Sequence, residues 1–296
     1  MYRKIMGFLE AWKESEHRKP LILQGARQVG KTYSILEFGR TQYENVAYFN
    51  FETNPKLNET FEENISPDYL IPILSHIAGQ TIVTEKTLIV FDEVQLCERA
   101  LTSLKYFCEN APDYHIIVAG SLLGVAVNRA KFSFPVGKVD MKTLYPMDME
   151  EFMLALGEDD LVEQIKKCFQ TDTPLPSALH DAAMQLYRQY LVVGGMPECV
   201  MQFAETKDYI LVRHTQDTIL ASYLNDMSKY NNLNEIKKTR LAYDNITVQL
   251  SKKNTRFQYK LIKKGGRASE FENAIEWLCL SGIVSQVYKV EQIKKP

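Results

Sequence analysis

The sequence predicts an α/β fold built on a parallel sheet, followed by a helical segment and a C-terminal winged helix. Three observations carry this. Short apolar runs alternate with longer amphipathic segments from Arg18 to about Glu151, the pattern of a parallel sheet flanked by helices. The strand pattern then stops, and mostly helical segments run to about Tyr230. From about Asn231 the order becomes helix, basic turn, helix and apolar arm.

The first strand, Pro20–Gln24, runs into Gly25-Ala26-Arg27-Gln28-Val29-Gly30-Lys31-Thr32. This octapeptide fits G-x-x-x-x-G-K-[ST] at every fixed position. A strand before it and a helix from Tyr33 to Phe38 after it supply the context the motif needs. Backbone N–H groups and the helix N-terminus then surround a polyphosphate. Gly25 and Gly30 let the backbone turn tightly and approach the phosphates without a Cβ. Lys31 is expected to reach the β- and γ-phosphates, and the Thr32 hydroxyl to sit on Mg²⁺. Cofactor contacts are expected from Gly25 through Thr32 and from Tyr33.

Val46–Phe51 is the second strand, and Pro67–Ala78 is a helix. Leu88–Phe91 is a third strand, ending in Asp92-Glu93. Acids at the carboxyl end of a buried parallel strand read as a Walker B element. Asp92 is expected to hold Mg²⁺ through water, and Glu93 to orient or deprotonate the attacking water. Ala100–Asn110 is a helix. The strand Ile116–Ala119 leads to Gly120-Ser121, where Ser121 is a candidate γ-phosphate sensor or an N-cap for Leu122–Gly124. Val139–Leu144 is the last strand. The helices that follow are Asp148–Leu156, His180–Val192 and one resuming after the break Gly194-Gly195-Met196-Pro197, with Asp172–Pro176 a loop.

Composition bounds the rest. The 296 residues are 45% hydrophobic and 24% charged with a net charge of −2, so any nucleic-acid site must be local. Five scattered cysteines without a C-x-x-C pair argue against a disulfide framework or zinc site. No apolar run approaches a membrane span. Met1–Lys13, with Ile5, Phe8, Leu9 and Trp12 at helical spacing, reads as a docking helix rather than a signal peptide. The cytoplasm is the consistent location. Between Asp244 and Glu270 there is no acid, while Lys252, Lys253, Arg256, Lys260, Lys263, Lys264 and Arg267 supply seven positive charges. Ala268–Leu280 is an amphipathic helix, and Ile283–Val290 a strand or hairpin arm. This segment, Lys252–Arg267, is expected to contact DNA phosphates or else to be a solvated face beside a protein-contact module.

The motifs together resemble the prokaryotic AAA+-like ATPases whose P-loop core is followed by a domain of uncharacterised function (the AAA_14/DUF4143 type). The residues that carry the resemblance are Gly25–Thr32, Asp92–Gln95, Ala119–Gly124, Gly137-Lys138, Leu144–Phe152, Tyr190–Glu198 and Trp277–Val284. It extends from near Leu21 to Val290. It implies a P-loop AAA+-like parallel sheet core over residues 1–157, a helical lid over 158–230 and a winged-helix-like domain over 231–296. ATP and Mg²⁺ would lie between core and lid, with adenine as the base. Family members continue into a region resembling a restriction-endonuclease fold, which is not expected here because the sequence stops at Pro296. Arg129 and Lys138 are candidate arginine-finger positions or else surface charges, and a Lys ammonium lacks the planar fork of a guanidinium.

The expected activity is Mg²⁺-dependent ATP hydrolysis that moves the lid and winged helix. A nucleotide-gated switch or scaffold, holding ATP or ADP with little turnover and presenting the winged helix to DNA or a protein, is the alternative. A small-molecule kinase ranks last, because the sequence has no lid of closely spaced arginines.

Overall fold

A computed structural model describes residues 1–120, 135–229, 233–252 and 256–288. Ser121, Arg129, Lys253 and Val290 lie outside the described residues. The chain divides into two compact units, Met1–Leu220 and Ala221–Pro296.

The first unit is organised by five parallel strands in the order β2-β3-β4-β1-β5. They are β1 (Leu21–Gln24), β2 (Asn45–Asn50), β3 (Thr87–Asp92), β4 (His115–Gly120) and β5 (Asp140–Thr143). Every residue of β3 and β4 is buried, as expected of parallel strands covered on both faces. In register, β1 places Leu21 beside Ile117 of β4 and beside Asp140 of β5. Leu88 of β3 pairs with Val46 of β2 and with His115 of β4. The strand carrying the acidic pair is therefore separated from the strand leading into the glycine loop by β4 alone.

Ahead of β1, α1 (Ile5–Lys13) buries Ile5, Leu9 and Trp12, the apolar face predicted from spacing. Helix α2 (Lys31–Gln42) buries Ile35 and Phe38. Two helices follow β2: α3 (Leu57–Glu63), which the apolar spacing did not reveal, and α4 (Pro67–Ala78). Helix α5 (Glu98–Asn110) joins β3 to β4. Phe61 of α3 explains the short helix. Its ring lies 5.6 Å from Phe51 and 5.5 Å from Phe91, so burial against β3 stabilises a segment too short to be helical alone.

The helical part of this unit comprises α6 (Met149–Ala155), α7 (Asp159–Gln170), α8 (Ser177–Val193), α9 (Pro197–Thr206) and the start of α10 (Tyr209–Lys229). A capping box opens α6: the Glu151 N–H donates to Asp148 at 2.9 Å, and the Asp148 N–H donates to Glu151 at 3.2 Å, satisfying two otherwise orphaned donors. Phe152 stacks on Phe203 of α9 at 6.2 Å. Among the described residues no helix is long and apolar enough to cross a membrane.

The second unit continues α10 and adds α11 (Leu233–Leu250) and α12 (Ala268–Leu280). Phe271, Ala274, Ile275, Trp277 and Leu278 of α12 are buried. Buried Gln249 donates to the Gln258 carbonyl at 3.0 Å and accepts its N–H at 2.7 Å, which ties the turn after α11 back to that helix. Residues 283–288 form no strand, so the apolar arm expected there is absent over the described residues. Val and Ile spacing alone had suggested it, and among the described residues no strand pairs with it.

One buried titratable group gives a test of this packing. His115, at the start of β4, is 3% exposed, hydrogen-bonded through Nδ1 to the Tyr43 hydroxyl at 2.7 Å and edge-on to Trp12 at 6.1 Å. Burial, with the nearby Arg18 and Lys13 charges, lowers its pKa to about 4. The unfolded chain then binds more protons between about pH 6.5 and about pH 4. Stability is full above that window and falls as pH drops through it. We expect a loss on the order of 1–3 kcal/mol. In His115→Phe the melting temperature should change less between pH 7 and pH 5 than in wild type; parallel pH profiles would refute the assignment.

Candidate functional site

The glycine loop, residues 25–30, connects β1 to α2 at the carboxyl end of the sheet, where ligands of open α/β sheets lie. Gly25 has φ +149°, and a Cβ there would stand 2.2 Å from the Leu144 carbonyl oxygen, so conformation and space both require glycine. Gly30 precedes α2 with φ +88°. Gln28, exposed at the loop tip, has φ +64°. Positive φ at a residue with a side chain is local strain held by the surrounding turn. Ala26 and Val29 are buried, Arg27 is half-buried and Tyr33 is 57% exposed.

Lys31, the first residue of α2, is 7% exposed. Its Nζ donates to the carbonyls of Gly25 at 2.9 Å and Ala26 at 2.8 Å. Burial lowers its pKa to about 8, opposed by the Glu93 and Asp92 charges and aided by Arg27. The ammonium is therefore poised in a desolvated position beside the loop backbone, where a phosphate would restore its charge preference.

The acids of β3 converge on the same place. Thr32 Oγ1 donates to Asp92 Oδ2 at 2.8 Å, and the Tyr48 hydroxyl donates to the same oxygen at 2.7 Å. Asp92 Oδ1 accepts the Glu93 N–H at 2.9 Å. Asp92 is 4% exposed, so these bonds offset the cost of burying a carboxylate. Partial burial and the bond to Asp92 raise the Tyr48 hydroxyl to about 12, with Asn50 acting in the opposite sense; Tyr48 is thus a donor at neutral pH. Glu93 has φ +51° and accepts a hydrogen bond from the Gln95 side-chain amide. A hydroxyl and a carboxylate make a hard oxygen pair, suited to Mg²⁺, which takes its other ligands from phosphate and water. Thr32 and Asp92 would hold it.

Of the residues singled out by sequence, Gly25 to Thr32, Asp92 and Glu93 are brought together at the carboxyl end of the sheet. Lys138 is instead paired with Glu109 at 3.0 Å. Sequence reasoning gave no role to Tyr48, Gln95 or Arg3. Gln95 lies in the Asp92–Gln95 stretch that carries the resemblance; Tyr48 has no local signal, because only the β2–β3 pairing brings it to Asp92. Arg3, just ahead of α1, reaches the Val29 carbonyl at 2.8 Å; the apolar spacing of Met1–Lys13 carries no signal for it.

A family model described as an AAA domain matches residues 17–153. A second, described as a domain of unknown function (DUF8612), matches residues 184–295, a different designation from the DUF4143 that the resemblance named. The Walker-type ATPase PABY2304 of Pyrococcus abyssi superposes with a TM-score of 0.59 at 14% identity, covering 95% of this chain and 89% of that one. The ORC2 protein of Aeropyrum pernix, described in ADPNP–ADP complexes, gives a TM-score of 0.47 at 12% identity with 96% and 87% covered. The RuvB Holliday junction branch migration motor of Thermotoga maritima gives 0.39 at 14% identity with 96% and 88% covered. The search of curated proteins gave no match. At such identity the likeness to PABY2304 speaks for the fold alone. The chain is thus similar over residues 17–153 to an AAA domain and over residues 184–295 to a domain of unknown function.

Proposed function

We propose that this chain binds ATP with Mg²⁺ and hydrolyses it, and that the cycle moves a helical lid and the C-terminal unit. The observation that carries the proposal is the convergence of Lys31, Thr32 and Asp92 within one hydrogen-bonded cluster at the carboxyl end of the sheet. Loop N–H groups and the start of α2 cradle the phosphates. Lys31 exchanges its loop carbonyls for β- and γ-phosphate oxygens. Mg²⁺, when bound with the nucleotide, neutralises charge developing on those oxygens. Glu93 orients the attacking water and accepts its proton, and Ser121 contacts the γ-phosphate.

A nucleotide-gated switch with little turnover is the second reading. It is favoured by Glu93 being engaged by Gln95 through one carboxylate oxygen, a bond that competes with water for that carboxylate.

DNA contact is proposed through Lys252–Arg267. Its support is that Lys252, Arg256, Lys260, Lys263, Lys264 and Arg267 are all exposed, although Lys263 is paired with Glu270 at 3.0 Å. The deciding measurement is steady-state ATP hydrolysis by the purified chain with Mg²⁺, with and without duplex DNA. Turnover raised by DNA, more at low salt than at high salt, is the expected result. Nucleotide bound without turnover in any condition favours the switch, and turnover indifferent to DNA removes the basic segment from the cycle.

A further inference from the structure

Arg3 precedes α1 in sequence and is 4% exposed. Its guanidinium joins three segments distant along the chain. Nε donates to Glu151 Oε1 at 3.1 Å, one terminal nitrogen to the Val29 carbonyl at 2.8 Å, and the other to the Tyr145 carbonyl at 2.8 Å. Glu151 Oε1 also accepts the Lys4 N–H at 2.7 Å, while Oε2 closes the α6 capping box. Only a guanidinium has the planar, multi-donor head for such a junction; an ammonium would satisfy fewer of these acceptors in this geometry.

The contact to Val29 matters most. Val29 is buried and lies between Gln28, with its positive φ, and Gly30. A loop whose N–H groups must aim at one anion needs its peptide planes fixed. The Val29 carbonyl shares a peptide plane with the Gly30 N–H, so Arg3, by holding that carbonyl, fixes that N–H. The same guanidinium fixes Tyr145, one residue after Leu144, whose carbonyl approaches Gly25. Both ends of the glycine loop therefore rest on elements that Arg3 ties together.

We propose that Arg3 is a positioning residue that sets the conformation of the phosphate-binding loop, anchored in turn by Glu151. Its effect on affinity rests on the ATP-binding reading above; its effect on loop order does not. The first measurement is amide hydrogen exchange of the full chain without nucleotide. In Arg3→Gln the amides of Gln28–Thr32 should exchange at least about tenfold faster than in wild type, with β3 amides unchanged. The second is the dissociation constant for Mg²⁺–ATP, expected to rise about tenfold or more in Arg3→Gln and less in Arg3→Lys, which can keep the pair with Glu151.

Unchanged loop exchange in a folded Arg3→Gln protein overturns the proposal. So does exchange accelerated equally in the loop and in β3, which marks a general loss of stability. If Arg3→Gln does not fold, Arg3→Lys is measured in the same way, and wild-type exchange in its loop overturns the proposal. Should the wild-type chain bind no ATP, the functional reading falls, while the exchange result still decides the role of Arg3.

Discussion

Replacing Lys31 by alanine is expected to weaken ATP binding by about 100-fold or more, while leaving the fold intact. Lys31 lies almost fully buried at the start of α2, so a phosphate there meets a charge that solvent screens poorly, and charge-assisted bonds in such surroundings are strong. Its pKa near 8 adds a second, separable signature. Bound phosphate raises the pKa again, so above about pH 8 the complex holds more protons than the free protein. Affinity must then fall as pH rises, by up to about tenfold per unit between pH 8 and pH 10. Below pH 8 the dependence should vanish, because Lys31 is charged in both states. Titration with a fluorescent ATP analogue across pH 7–10 checks both points. A Lys31→Ala protein that binds within about threefold of wild type would remove Lys31 from the phosphate site, and a flat wild-type profile would remove the charge argument.

Glu93→Gln should retain binding and lose turnover by about 100-fold or more, the usual range for removing a general base. The substitution is nearly isosteric, and a glutamine carbonyl can still accept the hydrogen bond from Gln95. What it lacks is the negative charge that, on the proposed mechanism, orients the attacking water and takes up its proton. Steady-state hydrolysis and equilibrium binding, measured side by side, separate the two effects. Wild-type turnover in Glu93→Gln would show that another group activates water.

The core of the candidate site can be picked out from sequence because its residues are local. The glycine loop, Lys31 and Thr32 occupy eight consecutive positions, and the acids stand at the end of an uninterrupted apolar strand. Such patterns survive without knowledge of the fold. Tyr48 acts from the neighbouring strand and Arg3 from the segment ahead of α1, at sequence separations of 44 from Asp92 and 26 from Val29, where no periodicity connects them. Helix α3 was hidden for a related reason: its stability comes from Phe61 meeting Phe51 and Phe91, not from propensity or caps. At the other extreme, the apolar spacing after Leu280 suggested a strand, but alternation is a statement about one face and cannot supply the neighbouring strand that a ladder needs. Residues 283–288 remain irregular.

The segment from Leu144 to Met147 meets glycine at both ends. Gly25 faces the Leu144 carbonyl, and a Cβ on Gly195 would stand 2.1 Å from the Met147 carbonyl, whose N–H donates to the Gly195 carbonyl at 2.6 Å. These two approaches are main chain against main chain. The distance between the glycine loop and the start of α9 is therefore gauged by a peptide spacer of fixed length, not by side-chain volume. Drift in the outward-facing Tyr145, which is 66% exposed, leaves that gauge untouched. An insertion or deletion in the spacer, or a methyl group at either glycine, would reset it in one step.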